Sequence, residues 1–383
     1  MEICYGVGDM KEIVYLNSGM SSRLNKKSYE KFLHFLEKEM LLGGGHPDIL
    51  KEKGKIVKNA RLNISKLLNC SEGEVVLTPN TTYGLNIVVN GLDWKEGDEI
   101  LITNHEHYSC LVPIYQLEPK VKIKMLKIES CLGHNGKIDK NKFLNELKAV
   151  ITEKTKLFFL SHILYTNGIT MPLEVIDKVA NQYKFLTFVD GAQTIGHINV
   201  DLSQTICDFY SFTGGKWLNG PTGTGGLYIN KKNIINNTVQ TSFTGWASVL
   251  DENPQKLKID ASKYEVSTIN FPVLASFSEA INYYFSIRDN FKNLLYKKED
   301  FEIFLKSHDF KLFSYEEDNL IISFKHKFIP TDEIFNILVK NNIITRKIDS
   351  LDCIRVTIPL DSDEKMIIKL KDVLKNIIHS FMR

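Results

Sequence analysis

The sequence predicts an α/β fold, with a large domain on a mostly parallel sheet followed by a smaller α+β domain. Three observations predict it. Between about residues 55 and 230, short apolar runs alternate with stretches of helical periodicity, the pattern of βαβ units. The apolar runs are nearly continuous rather than alternating, as strands covered on both faces require. The chain also has 383 residues, more than one hydrophobic core comfortably serves.

Taken in order, Glu74–Thr78, Glu99–Thr103, Leu157–Ser161, Leu186–Val189, Phe209–Phe212 and Gly226–Ile229 read as strands. In Pro172–Tyr183, residues Leu173, Ile176, Val179, Ala180 and Tyr183 share one face, and Pro172 suits a first helical turn. After Pro254 the pattern changes. Ala275–Leu295 reads as one long helix joining two domains. Beyond Lys311, the strands Leu320–Phe324 and Ile354–Ile358 mix with the helices Thr331–Asn341 and Asp363–Phe381. The expected division is an N-terminal segment over 1–20, a large domain over 21–270, and a linker helix with a small domain over 271–383.

Composition narrows the function. Forty-eight basic against 46 acidic residues give a net charge of +2, with no block of one sign. Neither nucleic acid nor an anionic membrane is an expected partner. Met1–Lys11 carries acidic residues and no apolar run, so it does not read as a signal peptide. The longest apolar stretch, Leu157–Leu164, is interrupted by Ser161 and His162 and is too short to span a membrane. Cys4, Cys70, Cys110, Cys131, Cys207 and Cys353 are scattered without a CxxC pair, which fits reduced thiols in a cytoplasmic protein.

Ligands of open α/β sheets collect at the carboxyl ends of the strands. There the sequence places Asn80-Thr81-Thr82, His105-Glu106-His107, Asp190 and Lys216. Gly215-Lys216-Trp217 lacks the hydroxyl residue of a P-loop, and Gly220–Gly226 does not keep GxGxxG spacing, so nucleotide loops are excluded. His105-x-His107 has no third ligand at a recognisable spacing, and no metal is expected. A carboxylate at the depth of Asp190 is costly unless a cation or strong donors face it. It can cap a helix, or it can pair with a protonated ring nitrogen. Lys216 follows two glycines and precedes Trp217, a setting in which desolvation makes an amine nucleophilic. Thr78-Pro-Asn80-Thr81-Thr82-Tyr83-Gly84 joins a strand to a helix, where free N–H groups and hydroxyls form a phosphate cup.

These residues carry a resemblance. Phe188-Val-Asp190-Gly-Ala-Gln193, then Ser211-Phe-Thr213-Gly-Gly-Lys216-Trp-Leu-Asn-Gly, resembles the class V aminotransferase superfamily. That group includes cysteine desulfurases, selenocysteine lyases, C–S lyases and isopenicillin-N-epimerase-like enzymes. Flanking matches are Tyr15-Leu-Asn17-Ser-Gly-Met, Asn104-His-Glu-His107, Lys263-Tyr-Glu-Val-Ser267-Thr268 and Ile354-Arg355-Val-Thr. The resemblance implies the fold-type I architecture of pyridoxal 5′-phosphate (PLP) enzymes, with a seven-stranded type of sheet. It implies that Lys216 holds PLP as a Schiff base and moves protons, Asp190 meets the pyridinium, Gln193 the ring hydroxyl, and His107 stacks on the ring. Thr81, Thr82 and Thr213 would hold the phosphate. Ser267 and Thr268 would reach a neighbour's phosphate, which implies a homodimer with shared sites. Arg355 would clamp the substrate carboxylate, with Asn17 and Tyr165 as further substrate contacts.

Three departures qualify this. Gly215 stands where the family often has His, and Tyr165 where it often has Asn. The family's desulfurases carry a nucleophilic loop cysteine upstream of the arginine; here the only cysteine in that stretch is Cys353, two residues before Arg355. The expected chemistry is therefore C–S lyase β-elimination on an α-amino acid without a loop cysteine. Epimerisation, transamination and a non-catalytic PLP-binding role are the alternatives. An epimerase needs an acid/base on the opposite face, for which Tyr165 and His107 are the candidates.

Overall fold

The structure, a computed structural model, describes residues 12–203 and 207–381. Cys4 and the Met1–Lys11 stretch lie outside the described residues.

The chain divides into two compact units. The larger comprises Ser21–Tyr165 and Ile169–Arg288. Its seven-stranded sheet is built from β1 (Val75–Thr78), β2 (Glu99–Thr103), β3 (Lys122–Leu126), β4 (Thr155–Ser161), β5 (Leu186–Asp190), β6 (Phe209–Thr213) and β7 (Gly225–Ile229). The spatial order is β1-β7-β6-β5-β4-β2-β3. Only β7 runs against its neighbours, so the carboxyl ends of the other six share one edge. Val76, Ile100, Ile102, Phe159, Phe188, Phe209 and Leu227 pack there as one buried cluster with Leu85 and Val88 of the helix Thr81–Gly91. That helix lies close on the sheet because Gly84 has no Cβ, which would stand 2.3 Å from Ser211 Oγ.

The six strands expected from the apolar runs all form, and β3 is the addition. It reads Lys-Ile-Lys-Met-Leu and is largely exposed. As an edge strand it buries little, and its lysines guard the open edge, so no apolar run announces it.

The single helix expected over Ala275–Leu295 is two helices, Phe271–Ile287 and Phe291–Ser307, separated by the 3₁₀ turn Arg288–Asn290. The first belongs to the larger unit, packing on the helices Lys26–Leu42 and Pro47–Leu68 and burying Leu274, Phe277 and Ile281. The units therefore meet at 288/289 rather than at 270/271. Helical periodicity on both sides of the polar Arg288-Asp289-Asn290 run hides the break.

The described residues of the smaller unit are 12–20, Thr166–Gly168 and 289–381. Its antiparallel sheet has the order Phe310–Leu312, Ile321–His326, Cys353–Thr357, Arg346–Ile348. Residues near the N-terminus join it: Val14–Tyr15 pairs in parallel with Ile343–Ile344, and the Thr357 N–H donates to Leu16 O at 2.9 Å. Val14–Leu16 is thus tied to strands near the C-terminus. Cys110, Cys131, Cys207 and Cys353 are buried and Cys70 is half-buried, all as free thiols. No described helix is long and apolar enough to cross a membrane.

Candidate active site

In the larger unit, Thr81, His107, Asp190 and Lys216 all follow strands that end on the same sheet edge. Asp190 closes β5 and is 6% exposed. Its Oδ1 accepts from the Ala192 N–H at 2.8 Å and its Oδ2 from the Cys110 thiol at 3.3 Å. Burial pushes the Asp190 carboxyl above its usual range, while the Lys216 ammonium, the Ala192 N–H and the Cys110 thiol pull the other way.

Lys216 lies beyond β6 and is half-buried, backed by the buried Trp217 and Leu218. The turn that presents it is pinned by hydrogen bonds from Gly214 N to Thr224 O, from Asn219 N to Lys216 O and from Gly220 N to Gly214 O. A Cβ at Gly214 would stand 2.4 Å from Thr224 Oγ1 and 2.5 Å from the Phe277 ring, so only glycine lets the chain pass there. Trp217 has a second task. Its Nε1 donates to Gln193 Oε1 at 3.0 Å, and its ring stacks on His197 at 3.9 Å. The Gln193 carbonyl is thereby occupied, which fixes the direction of its amide N–H₂.

His107 caps the helix Tyr108–Tyr115, its Nδ1 lying 2.7 Å from Ser109 Oγ. The Tyr165 ring meets it edge-on at 5.0 Å. Just before it, Glu106 is a buried staple between strand ends. Its Oε1 accepts from Thr103 Oγ1 at 2.6 Å and Ser161 N at 3.1 Å, and its Oε2 from Ser161 Oγ at 2.6 Å. Sequence reasoning gave Glu106 no role; the signal was the Thr-x-x-Glu spacing of Thr103 and Glu106. His162 is also structural: it faces Tyr210 OH at 3.0 Å, and burial pushes its pKa down to about 4, so it stays neutral.

Among the threonines, Thr81 opens the helix Thr81–Gly91 with a buried hydroxyl that has no hydrogen-bond partner. Thr82 is half-buried, and Thr213 Oγ1 donates to Thr224 O at 3.2 Å. Ser267 and Thr268 are exposed and line a cavity of about 350 Å³ with Thr78, Pro79 and Tyr83. Their loop is tied down by Glu265, which takes a two-pronged pair from Arg61 Nη2 at 2.9 Å and the Leu77 N–H at 2.8 Å.

In the smaller unit, Arg355 is wholly buried and its Nη2 donates to Asn17 Oδ1 at 3.5 Å. Cys353 lies on the same strand face, also wholly buried; burial pushes its thiol up to about 12 despite the arginine. A residue not singled out in the sequence, Arg346, stands directly opposite Arg355 in the sheet register, with Ser323 opposite on the other side.

The family model for Aminotransferase class-V matches residues 14–357. The chain belongs to the class-V aminotransferase family. The family is one of PLP-dependent enzymes, and its members include the relatives found by sequence. A probable cysteine desulfurase of Borreliella burgdorferi is 32% identical over 360 residues, covering 88% of this chain and 82% of that protein. One of Methanothermobacter thermautotrophicus is 28% identical over 253 residues, covering 65% of this chain and only 61% of that protein's length. The fold is shared with the cystine C–S lyase C-DES solved with its reaction product cysteine persulfide, at TM-score 0.86 and 24% identity over 95% of this chain and 97% of that one. It is also shared with a cysteine desulfurase from Thermococcus onnurineus, at TM-score 0.84 and 21% identity over 96% and 95%.

The residues present fit this family's cofactor. A buried carboxylate, an unpartnered buried threonine hydroxyl at a helix N-terminus and a half-buried lysine suit the ring nitrogen, phosphate and aldehyde of PLP.

Glu106 adds a pH dependence of stability. Burial raises its pKa to about 7. A carboxyl raised above its unfolded value contributes stability in full below the unfolded pKa and loses it as pH rises through the folded one. Glu106→Gln keeps the shape without the charge. Its stability relative to wild type, read from thermal unfolding, is expected to rise between pH 5 and pH 8, by an amount on the order of 3 kcal/mol at the upper end. Midpoints that stay parallel across that range would contradict the assignment.

Proposed function

We propose that this family member is a C–S lyase that eliminates the β-sulfur of a cysteine-type amino acid without a loop cysteine to accept it. The observation that carries the reading is the hairpin ahead of Arg355. Arg346–Ile348 and Cys353–Thr357 are paired strands joined only by the turn Asp349–Leu351 and the left-handed Asp352. The connection is short and carries no cysteine, and Cys353, which opens the second strand, is buried as a protonated thiol. A sulfur-accepting desulfurase needs an accessible thiolate.

When bound, PLP supplies an electron sink for the carbanion at the substrate Cα. The remaining work falls to the chain. Arg355 binds the α-carboxylate, with Asn17 holding its guanidinium. Lys216 Nζ removes the α-proton, and the C–S electron pair leaves with sulfur. Asp190 would face the ring nitrogen, Gln193 the ring hydroxyl and His107 the ring plane, and Thr81, Thr82 and Thr213 would hold the phosphate. From cysteine and water the products are pyruvate, ammonia and hydrogen sulfide.

The Arg346–Arg355 register supports a larger substrate. Residues directly opposite share a sheet face, so Arg346 stands on the face from which Arg355 would hold a carboxylate. A disulfide such as cystine brings a second carboxylate, and with water it yields pyruvate, ammonia and cysteine persulfide. The deciding assay offers cysteine and cystine to the PLP-loaded enzyme and measures pyruvate and released sulfur. Pyruvate from either supports the lyase. Solvent deuterium at Cα with inverted configuration and no pyruvate would replace it with epimerisation, which the edge-on contact of Tyr165 with His107 would serve.

Thr81→Val tests the phosphate cup. Because the hydroxyl has no partner in the protein, the apo thermal midpoint is expected to hold while PLP binds about tenfold to a hundredfold more weakly. Unchanged PLP affinity by equilibrium titration would remove Thr81 from the cup.

A further inference from the structure

Cys110 is a buried thiol with no part in the reading above. It is 1% exposed and sits in the first turn of the helix that His107 caps, its N–H donating to His107 O at 2.9 Å. One turn of helix therefore delivers both His107 and a sulfur 3.3 Å from Asp190 Oδ2. A cysteine at a helix start usually has its thiolate favoured by the free N–H groups. Here burial, Asp190 and Glu106 all disfavour the thiolate, so the group stays protonated and can only donate to the carboxylate.

We propose that Cys110 is a positioning residue for the cofactor's ring nitrogen, holding Asp190 Oδ2 through its S–H and tempering the basicity of that carboxylate. The inference rests on the reading that Asp190 faces that nitrogen. Ala192 N–H and Cys110 S–H grip one oxygen each, which locks the carboxylate plane. A thiol is a weak donor, so it orients Asp190 while leaving most of its negative charge for the pyridinium. A hydroxyl in its place would draw off more. The other titratable groups acting on Asp190 are Lys216 beyond β6, Glu106 beyond β2 and Tyr210 within β6. None of these replaces the Oδ2 donor.

The test loads wild type and variants with PLP carrying ¹⁵N in the ring and follows the ¹⁵N chemical shift against pH. Cys110→Ser, nearly isosteric, is expected to lower the pH at which the ring nitrogen loses its proton. Cys110→Ala is expected to raise it, each by about half a pH unit or more. Cys207→Ala, another buried cysteine, serves as the packing control and is expected to lower the thermal midpoint without moving the titration. Should Cys110→Ala fail to fold, Cys110→Ser carries the test alone. Wild-type midpoints in the Cys110 variants, or an equal shift in Cys207→Ala, would overturn the proposal. Asp190→Asn separates the two layers. If it strips the ring proton at neutral pH while the Cys110 variants do nothing, only the role of Cys110 falls. If it too leaves the titration unmoved, the Asp190 reading falls with it.

Discussion

Lys216→Ala is expected to abolish the visible absorbance of the lysine-bound cofactor and to lower turnover by about 10³-fold or more. On the proposed reading, two functions depend on the one amine: covalent attachment of PLP and removal of the α-proton. Proton transfer by a positioned base alone accounts for roughly 10²- to 10⁴-fold. Lys216 is half-buried, and no second lysine lies in that turn. The measurement is the absorbance spectrum of purified wild type and variant after PLP addition, followed by pyruvate release from cystine. A variant that kept the wild-type band would overturn the assignment of Lys216. Lys216→Arg is expected to be equally inactive, because guanidinium does not form the bond.

Arg355→Ala is expected to lower kcat/KM by roughly 30- to several-thousand-fold, the span that follows from losing a buried charged hydrogen bond worth about 2–5 kcal/mol. Arg355 is wholly buried on a central strand, with Asn17 Oδ1 its neighbour. Because the loss concerns carboxylate binding, KM should rise more than kcat falls. The absorbance of bound PLP should not change. Arg355→Lys is expected to recover only part of the loss, since an ammonium cannot make the paired contact of a guanidinium with a carboxylate. Arg346→Ala offers the contrast. If a second carboxylate is recognised, that variant should lose activity on cystine by about tenfold or more while cysteine turnover is nearly unchanged, as loss of one charge-assisted hydrogen bond predicts. Equal losses on both substrates would sink the two-carboxylate reading.

Much of this was legible in the order of residues because parallel sheets write themselves plainly. A strand buried on both faces is an unbroken apolar run, and the residue after it stands at the ligand edge whatever the rest of the chain does. That is why Asp190 and Lys216 stood out after Leu186–Val189 and Phe209–Phe212, while their expected roles came from the family resemblance. Edge strand Lys122–Leu126 escaped because it buries too little to need such a run. The break at Arg288–Asn290 escaped because both flanking helices keep apolar periodicity, and only packing decides which neighbour each one serves.

By itself, then, the sequence determined the sheet class and the family, and it placed Thr81, Asp190 and Lys216 after strands of the sheet. These are local properties: each is set by a few adjacent residues and the pitch of the element they form. Only the tertiary structure decided which side chains act through others. Cys110 reaches Asp190 across eighty intervening positions, Trp217 takes the Gln193 carbonyl, Glu106 joins the ends of two strands, and Arg346 comes opposite Arg355. Such contacts depend on strand register and helix placement, which are fixed by burial summed over the whole core and leave no mark at any single position.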